Sequence, residues 1–373
     1  MTKRRGNAEG SIYRRADGRW AASVSLDRGR RKSYYGKTRQ EVAGKLATAL
    51  KAQRDGLPLV AERQRVGDYL ASWLETVRPS LRARTWLRYE QYVRLHAIPG
   101  IGQVSLARLT PQHLQRLYAD RLEGGLSAMS VRHLHAVLHR ALQQATRWGL
   151  VARNVADLVT PPRAAHREMQ TLSPEQARAF LEAAQGDRFH ALYVLALSTG
   201  MRQGELLALK WEHVDLERGT VQVRGSLQRT PAGLTITEPK TAASRRQVGL
   251  TPSAVAALRR HRVAQTEERL RLGSVWQDNG LVFCNEIGSP IDATHVMVRP
   301  FRCLLDRAGL PRIRFHDLRH SAATLLLGQG VHPKIVSEML GHTQIAITLD
   351  LYSHVTPTMQ RQATDAMEAV LTV

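Results

Sequence analysis

The chain has 373 residues, room for two or three domains at ~150 residues each, and carries 54 Lys and Arg against 32 Asp and Glu, a net charge of +22. Its longest apolar run, Ala191 to Leu197, falls far below the ~20 residues of a bilayer span, the opening Met1-Thr-Lys-Arg-Arg-Gly6 has no apolar signal core, and Cys284 and Cys303 form neither a metal spacing nor a disulfide framework, so membrane and secreted classes are disfavoured and a cytoplasmic protein is expected. A polyanion such as nucleic acid is the default partner of so positive a chain; the alternative is an arginine-rich composition and nothing more, since Arg supplies 46 of the 54 basic residues.

The charge is uneven. Residues 1–58 carry 15 basic and 5 acidic side chains, a net +10. Within them Gly10-Ser-Ile-Tyr-Arg-Arg15, Arg19-Trp-Ala-Ala-Ser-Val-Ser-Leu26 and Lys32-Ser-Tyr-Tyr35 read as short strands, separated by Asp17-Gly18 and by the turn Arg28-Gly-Arg-Arg31. Thr38-Arg-Gln-Glu41 then forms a capping box that opens a helix to about Arg54. Tyr13, Trp20, Tyr34 and Tyr35 stand among arginines, some needed for the small core and the rest available to DNA, and Arg14, Arg19, Arg30, Arg31 and Lys32 are the candidate DNA contacts.

Residues 64–160 show helical periodicity, with helices expected at about 66–77, 85–97 and 111–123, the last opened by Thr110 as N-cap and Pro111 behind it. A fourth helix, with Ser130 as its expected N-cap and Gly149 at its end, places Val131, Leu134, Leu138, Ala141, Leu142, Ala145 and Trp148 on one stripe. Arg84 and Arg88, with Arg94, flank the apolar positions of helix 85–97; they either face a phosphate backbone or form a solvated polar face. Thr160-Pro-Pro-Arg-Ala-Ala165 breaks the pattern, Ser173-Pro-Glu-Gln176 restarts a helix with a capping box, and a third domain covers 168–373. Inside it Thr220-Val-Gln-Val-Arg224, Leu234-Thr-Ile-Thr237 and Arg246-Gln-Val-Gly-Leu250 alternate like small antiparallel strands. The fold class expected is therefore multidomain and mainly α: a β-sheet-plus-helix module over 1–58, a helical domain over 64–160, and an α+β domain over 168–373.

Two signals are rejected. Gly36-Lys37-Thr38 ends like a phosphate-binding loop, yet the glycine that loop needs five residues earlier is Arg31. His135 and His139 have i, i+4 metal-ligand spacing with His133 nearby, but no carboxylate or Cys accompanies them as in an HExxH site, so no metal is expected.

Four separated segments of the third domain each place unusual residue types at a structural break. Ser198-Thr-Gly-Met-Arg202-Gln-Gly-Glu205 ends one helix at Gly200 and opens the next at Arg202. Glu238-Pro-Lys240-Thr241 lies in the turn between two expected strands. Phe315-His316-Asp-Leu-Arg319-His320 puts His316 and Arg319 on one helical face. Leu340-Gly-His342 follows a helix end, with Tyr352 ten residues on. Singly these read as a surface arginine, a turn lysine and a capping histidine. Jointly, and in this order, the pattern over about 170–357 resembles the tyrosine recombinase (phage integrase) family, and the helical and basic N-terminal domains resemble that family's core-binding and arm-binding modules.

The resemblance implies a site-specific DNA recombinase whose catalytic residues are Arg202, Lys240, His316, Arg319, His342 and Tyr352, with Glu205 holding Arg202. Resealing a phosphodiester without ATP requires a covalent phospho-enzyme, hence a protein nucleophile, and Tyr352 is the only tyrosine C-terminal to Tyr193. The two arginines would neutralise the five-coordinate phosphate, so that neither metal nor cofactor is expected; His316 would exchange the phenol proton, and His342 would hydrogen-bond the phosphate. Lys240 would protonate the departing 5′-oxygen, a task arginine cannot perform, in a chain with only eight lysines. The implied partners are double-stranded DNA attachment sites, a homotetramer on DNA, and possible directionality and DNA-bending proteins. The basic N-terminal module favours an integrase of a phage or mobile element over a chromosome-dimer-resolving recombinase or a non-catalytic DNA-binding regulator. After the nucleophile, residues 357–371 place Met359, Ala363, Ala366, Met367, Val370 and Leu371 at helical spacing, a tail expected to dock on its own domain or on a neighbouring protomer.

Overall fold

The computed structural model describes residues 10–25, 31–54, 64–164, 169–230, 233–238, 245–293 and 298–341, together with 344–346, 348–349, 364–365, 367–368 and 371. The chain divides into two compact units, Met1–His166 and Arg167–Val373.

The first unit contains two separate apolar cores. In the smaller, strands β1 (Ser11–Arg14), β2 (Trp20–Ser25) and β3 (Arg31–Gly36) form an antiparallel sheet in that order, and helix α1 (Arg39–Arg54) follows. Strand alternation sends Ile12, Trp20, Ala22, Val24 and Tyr34 to one face, where Val42 and Leu46 of α1 cover them. The capping box forms with one displacement: Thr38 Oγ1 accepts from the Glu41 N–H at 3.2 Å, while the Glu41 carboxylate takes the Lys37 N–H at 2.9 Å. The uncovered face carries Tyr13, Ala21 and Tyr35 in register, so Trp20 and Tyr34 serve the core and Tyr13 and Tyr35 are exposed.

The larger core gathers Tyr69, Leu70 and Trp73 of α2 (Val66–Val77), Leu114 and Leu117 of α5 (Pro111–Glu123), and Leu134 and Leu138 of α6 (Ala128–Arg147). Between them, α3 (Ala83–Tyr92) continues through a π-helical turn, Val93–Ala97, into the short α4 (Ile98–Ile101). Pro99 accounts for the π-helical turn through which the expected helix 85–97 runs on to Ile101. It has no N–H to offer the preceding turn, and the Ile98 N–H reaches back five residues to the Val93 carbonyl. Helix α6 starts earlier than its sequence pattern suggests. Its N-cap is Ser127, whose Oγ accepts from the Ser130 N–H at 3.2 Å, and Ser130 lies inside the first turn. The apolar stripe is buried as expected except at its end, where Trp148 is half exposed and meets Tyr69 edge-on.

In the second unit, α7 (Pro174–Ala183) opens with both halves of the Ser173–Gln176 capping box. Helix α8 (His190–Thr199) is the apolar run of the sequence. Ala191 through Leu197 are all buried, between α10 (Pro252–Leu272) and α12 (Asp317–Gly328), because a helix apolar on every side is stable only inside a core. Helix α9 (Gln203–Leu207) follows, then strands β4 (Val214–Asp215), β5 (Thr220–Val223), β6 (Ser226–Thr230), β7 (Gly233–Thr237) and β8 (Arg246–Gly249). Sheet order differs from a simple meander: β4, β5 and β8 form one sheet, and β6 pairs β7 in another. The strands flanking Lys240 are therefore not ladder partners, and its segment joins two sheets instead of closing a hairpin. Helices α11 (Val298–Arg307) and α13 (Pro333–Leu340) complete the packing around α12 and α7. The described tail residues, Thr364, Asp365, Met367, Glu368 and Leu371, are helical, with Met367 and Leu371 exposed. Among the described residues no helix is long and apolar enough to cross a membrane.

Candidate active site

Two left-handed glycine turns build the site. Gly200 (φ +61°) ends α8 and Gly341 (φ +69°) ends α13. Gly200 is required twice, by its dihedral and by crowding, because a Cβ there would lie 2.3 Å from Leu340 Cδ2. Each turn offers its carbonyl to an arginine: Arg319 Nη1 donates to Gly200 O at 2.7 Å, and Arg202 Nη2 donates to Gly341 O at 3.1 Å.

Arg202 occupies the N-cap of α9. Its backbone N–H and Nη1 donate to the two Glu205 oxygens at 3.0 and 2.8 Å. Glu205, only 6% exposed, also accepts from Arg246 Nη2 at 2.9 Å. Burial alone would raise its pKa, but the hydrogen bond and charge of Arg246 and the hydrogen bonds of Arg202 hold the carboxyl below its ordinary range. Arg319 is 4% exposed, and its Nη2 is buried with no hydrogen-bond partner among the described residues. Burial, then the charge of Arg202, pushes its pKa down to about 9, so it stays cationic at neutral pH. A buried, unpaired N–H beside a second cation is costly to leave unmet, and an anionic oxygen satisfies it.

His316 stands at the start of α12, one turn before Arg319. Asp317, buried beneath it, anchors the turn by accepting from the Arg314 N–H at 2.7 Å and from the Arg314 guanidinium through both oxygens. The His316 ring meets His320 edge-on at 5.1 Å. Desolvation by the surrounding atoms, then the positive neighbours His320 and Arg319, lower its pKa to about 4 even though the residue keeps an exposed edge. It is thus a neutral imidazole at pH 7, and a phosphate anion beside it would raise its pKa toward the range in which it takes up a proton. His316 and Gln203, next to Arg202, line one cavity of about 350 Å³ with Phe315 and Arg314.

Residues 170–359 match the phage integrase family, and residues 66–122 match the phage integrase N-terminal SAM-like domain. A tyrosine recombinase XerC-like protein of Caldanaerobacter subterraneus subsp. tengcongensis is 34% identical, over 91% of each chain. The chain belongs to the phage integrase family of tyrosine recombinases. These are site-specific DNA recombinases. An integrase of Streptomyces ambofaciens is 33% identical over 97% of both chains. Among solved structures, the Tn1549 transposon integrase in complex with a circular intermediate DNA has the same fold, with a TM-score of 0.69 and 22% identity, covering 82% of this chain and 99% of that one.

Of the residues the recombinase pattern singles out, Arg202, Glu205, His316 and Arg319 come together. Lys240, His342 and Tyr352 lie outside the described residues, although Gly341, the neighbour of His342, is bound to Arg202. Arg246 joins the cluster without any mark in the sequence beyond opening a strand. In the first unit, Arg31 lies on the uncovered sheet face with Tyr13 and Tyr35, and Arg15 stacks over Tyr35 at 5.2 Å. Arg14 and Lys32 share the strand face of Ile12 and Tyr34, Lys32 over the Tyr34 ring at 5.3 Å, and Arg19 pairs with Asp17 at 3.2 Å. Arg30 lies outside the described residues. Arg84 is exposed, and Arg88 bonds His133 Nδ1 at 2.9 Å. The histidines with ligand spacing are engaged otherwise, His135 with the Tyr118 hydroxyl at 3.0 Å and His139 with Asp157 at 2.7 Å.

Proposed function

We propose that this recombinase integrates and excises a phage or other mobile element, cleaving each strand through Tyr352 to leave a 3′-phosphotyrosyl link and a free 5′-hydroxyl. The observation that carries the reading is the pair Arg202 and Arg319. They are anchored on the carbonyls of two glycine turns, and the buried Arg319 Nη2 has no partner among the described residues. Two fixed guanidiniums match the two non-bridging oxygens of a phosphodiester and stabilise the charge that grows in the five-coordinate transition state. The Tyr352 oxygen attacks phosphorus while neutral His316 takes the phenol proton. As the bond to the 5′-oxygen breaks, Lys240 supplies that oxygen with a proton, and His342 hydrogen-bonds the phosphate. Rejoining reverses each transfer, so the bond energy is conserved in the ester and ATP is not consumed.

The sheet module of residues 1–58, with Tyr13, Tyr35, Arg15 and Arg31 on its uncovered face, supports a second DNA contact, as expected of an integrase that bridges arm and core sites on a tetramer. A chromosome-dimer resolver has no need of such a module. The test is recombination in vitro between two plasmids, one carrying the DNA that flanks the gene and the other the joined element ends. The proposal expects recombinants without added nucleotide, formed by an assembly with four protomers per synapse. Relaxation or binding without recombinants would refute it.

A further inference from the structure

We infer that Arg246 is a positioning residue for DNA cleavage: it balances the buried Glu205 carboxylate so that Arg202 keeps its charge for the scissile phosphate, and it fixes the Gly341 turn against the same anchor. The inference rests on the assignment of Arg202 to the phosphate made above.

The geometry is specific. The backbone of Arg246 is held in the β5–β8 ladder opposite Val223. Its side chain, 8% exposed, crosses to the 6%-exposed Glu205, with Nη2 to Oε2 at 2.9 Å and Nη1 to Oε1 at 3.4 Å. Its Nε donates to Met339 O in the last turn of α13 at 2.7 Å. The guanidinium lies so close to the following turn that a Cβ on Gly341 would sit 3.0 Å from Arg246 Nη1. Gly341 in turn holds Arg202 Nη2 through its carbonyl. One side chain therefore joins β8, the N-terminus of α9 and the C-terminal turn of α13, which leads into His342.

Charge counting gives the functional consequence. Glu205 is shared between two arginines, so the trio carries one net positive charge, and the arginine open to solvent is Arg202, with its side chain 38% exposed against 8% for Arg246. Without Arg246, the carboxylate would be neutralised by Arg202 alone, and the attraction of Arg202 for phosphate would be spent on Glu205 in a site of low dielectric. Arg246 never needs to reach the DNA. A buried ion pair that served stability only would not be expected to influence how the enzyme responds to charge on the scissile phosphate.

The test compares single-turnover cleavage of a nicked suicide duplex bearing either the native phosphate or a neutral methylphosphonate at the scissile position. With the native phosphate, Arg246→Ala should cleave about 100-fold more slowly than wild type, the scale of losing one preorganised charge contact, and Arg246→Lys should recover part of that loss. With methylphosphonate, which has no anionic oxygen to neutralise, Arg246→Ala and Arg202→Ala should both come within about threefold of wild type. Equal loss by Arg246→Ala on the two substrates, with Arg202→Ala still rescued, overturns the inference and leaves the assignment of Arg202 standing. If Arg202→Ala is not rescued either, that assignment falls and the inference with it. Should Arg246→Ala fail to fold, the pair Arg246→Met with Glu205→Gln removes both buried charges together. That double variant should cleave the native phosphate faster than Arg246→Met alone, and a slower double variant would contradict the charge-balancing role.

Discussion

Gly200→Ala is the substitution whose cost the structure specifies most fully. The left-handed dihedral at φ +61° charges any L-residue with a side chain ~1–2 kcal/mol. The added methyl would lie 2.3 Å from Leu340 Cδ2, and Leu340 is fully buried, so it has no solvent to turn into. Overpacking of this kind costs ~1–3 kcal/mol. The sum, ~2–5 kcal/mol, is a large part of a domain's stability and should lower the thermal midpoint of the catalytic unit by roughly 5–15 °C. A functional effect accompanies it, because the displaced carbonyl is the one that holds Arg319 at 2.7 Å. Cleavage at a temperature where the variant remains folded should fall by about 10–100-fold. Urea titration of Gly200→Ala, Leu340→Ala and the double variant separates the two causes. Shortening Leu340 relieves the clash but not the dihedral, so the double variant should be more stable than additivity predicts by ~1–3 kcal/mol. Strict additivity, or a cost below ~1 kcal/mol for Gly200→Ala, would refute the reasoning.

Other predictions concern the proton transfers. If Lys240 is the general acid, Lys240→Ala should cripple cleavage of ordinary DNA and be largely restored by a 5′-bridging sulfur, a leaving group that departs without a proton; equal damage on both substrates would assign the lysine to positioning. His316, with its folded pKa lowered from 6.5 to about 4, binds fewer protons folded than unfolded between those values. Stability therefore rises with pH across that window and is lost as pH falls through it. His316→Asn should reduce the dependence of the urea midpoint on pH between about 6.5 and 4, leaving the smaller share of His261 and His320, whose pKa values are also lowered, with Glu205 and Asp317 still destabilising the fold at lower pH. An unchanged slope would show that the ring is not held neutral.

Local rules carried most of the architecture. The N-terminal strands follow from period-two alternation, with Asp17-Gly18 between the first two, and the helical stripe from Val131 to Ala145 is buried as its spacing requires. Where the structure departs from the pattern, the cause is a specific competing interaction. Ser127 outcompetes Ser130 because the cap must sit three residues before the N–H it receives, and Pro99 converts a helix end into a π turn. Strands β4 and β6 are not legible because the first has two residues and the second only one apolar residue, Leu227. The pairing of β8 with β5 instead of β7 is a tertiary choice that alternation cannot report. Arg202 and His316 are legible because each caps a helix, and Glu205 because it stands three residues after the Arg202 cap. Arg246 is not: its partners Glu205 and Met339 lie 41 and 93 residues away, and one arginine among 46 opening a strand carries no local signal.

Tyr352 is the proposed nucleophile, bonding to the 3′ side of the break. Incubation of the protein with a nicked suicide duplex, followed by protease digestion and mass spectrometry of the DNA-linked peptide, tests it directly. The expected result is a covalent adduct whose peptide contains Tyr352 joined to a 3′-phosphate, a released strand with a 5′-hydroxyl, and no adduct from Tyr352→Phe protein that still binds the duplex. An adduct mapped to another residue, a link to the 5′ end, or a covalent product from the Phe variant would contradict it.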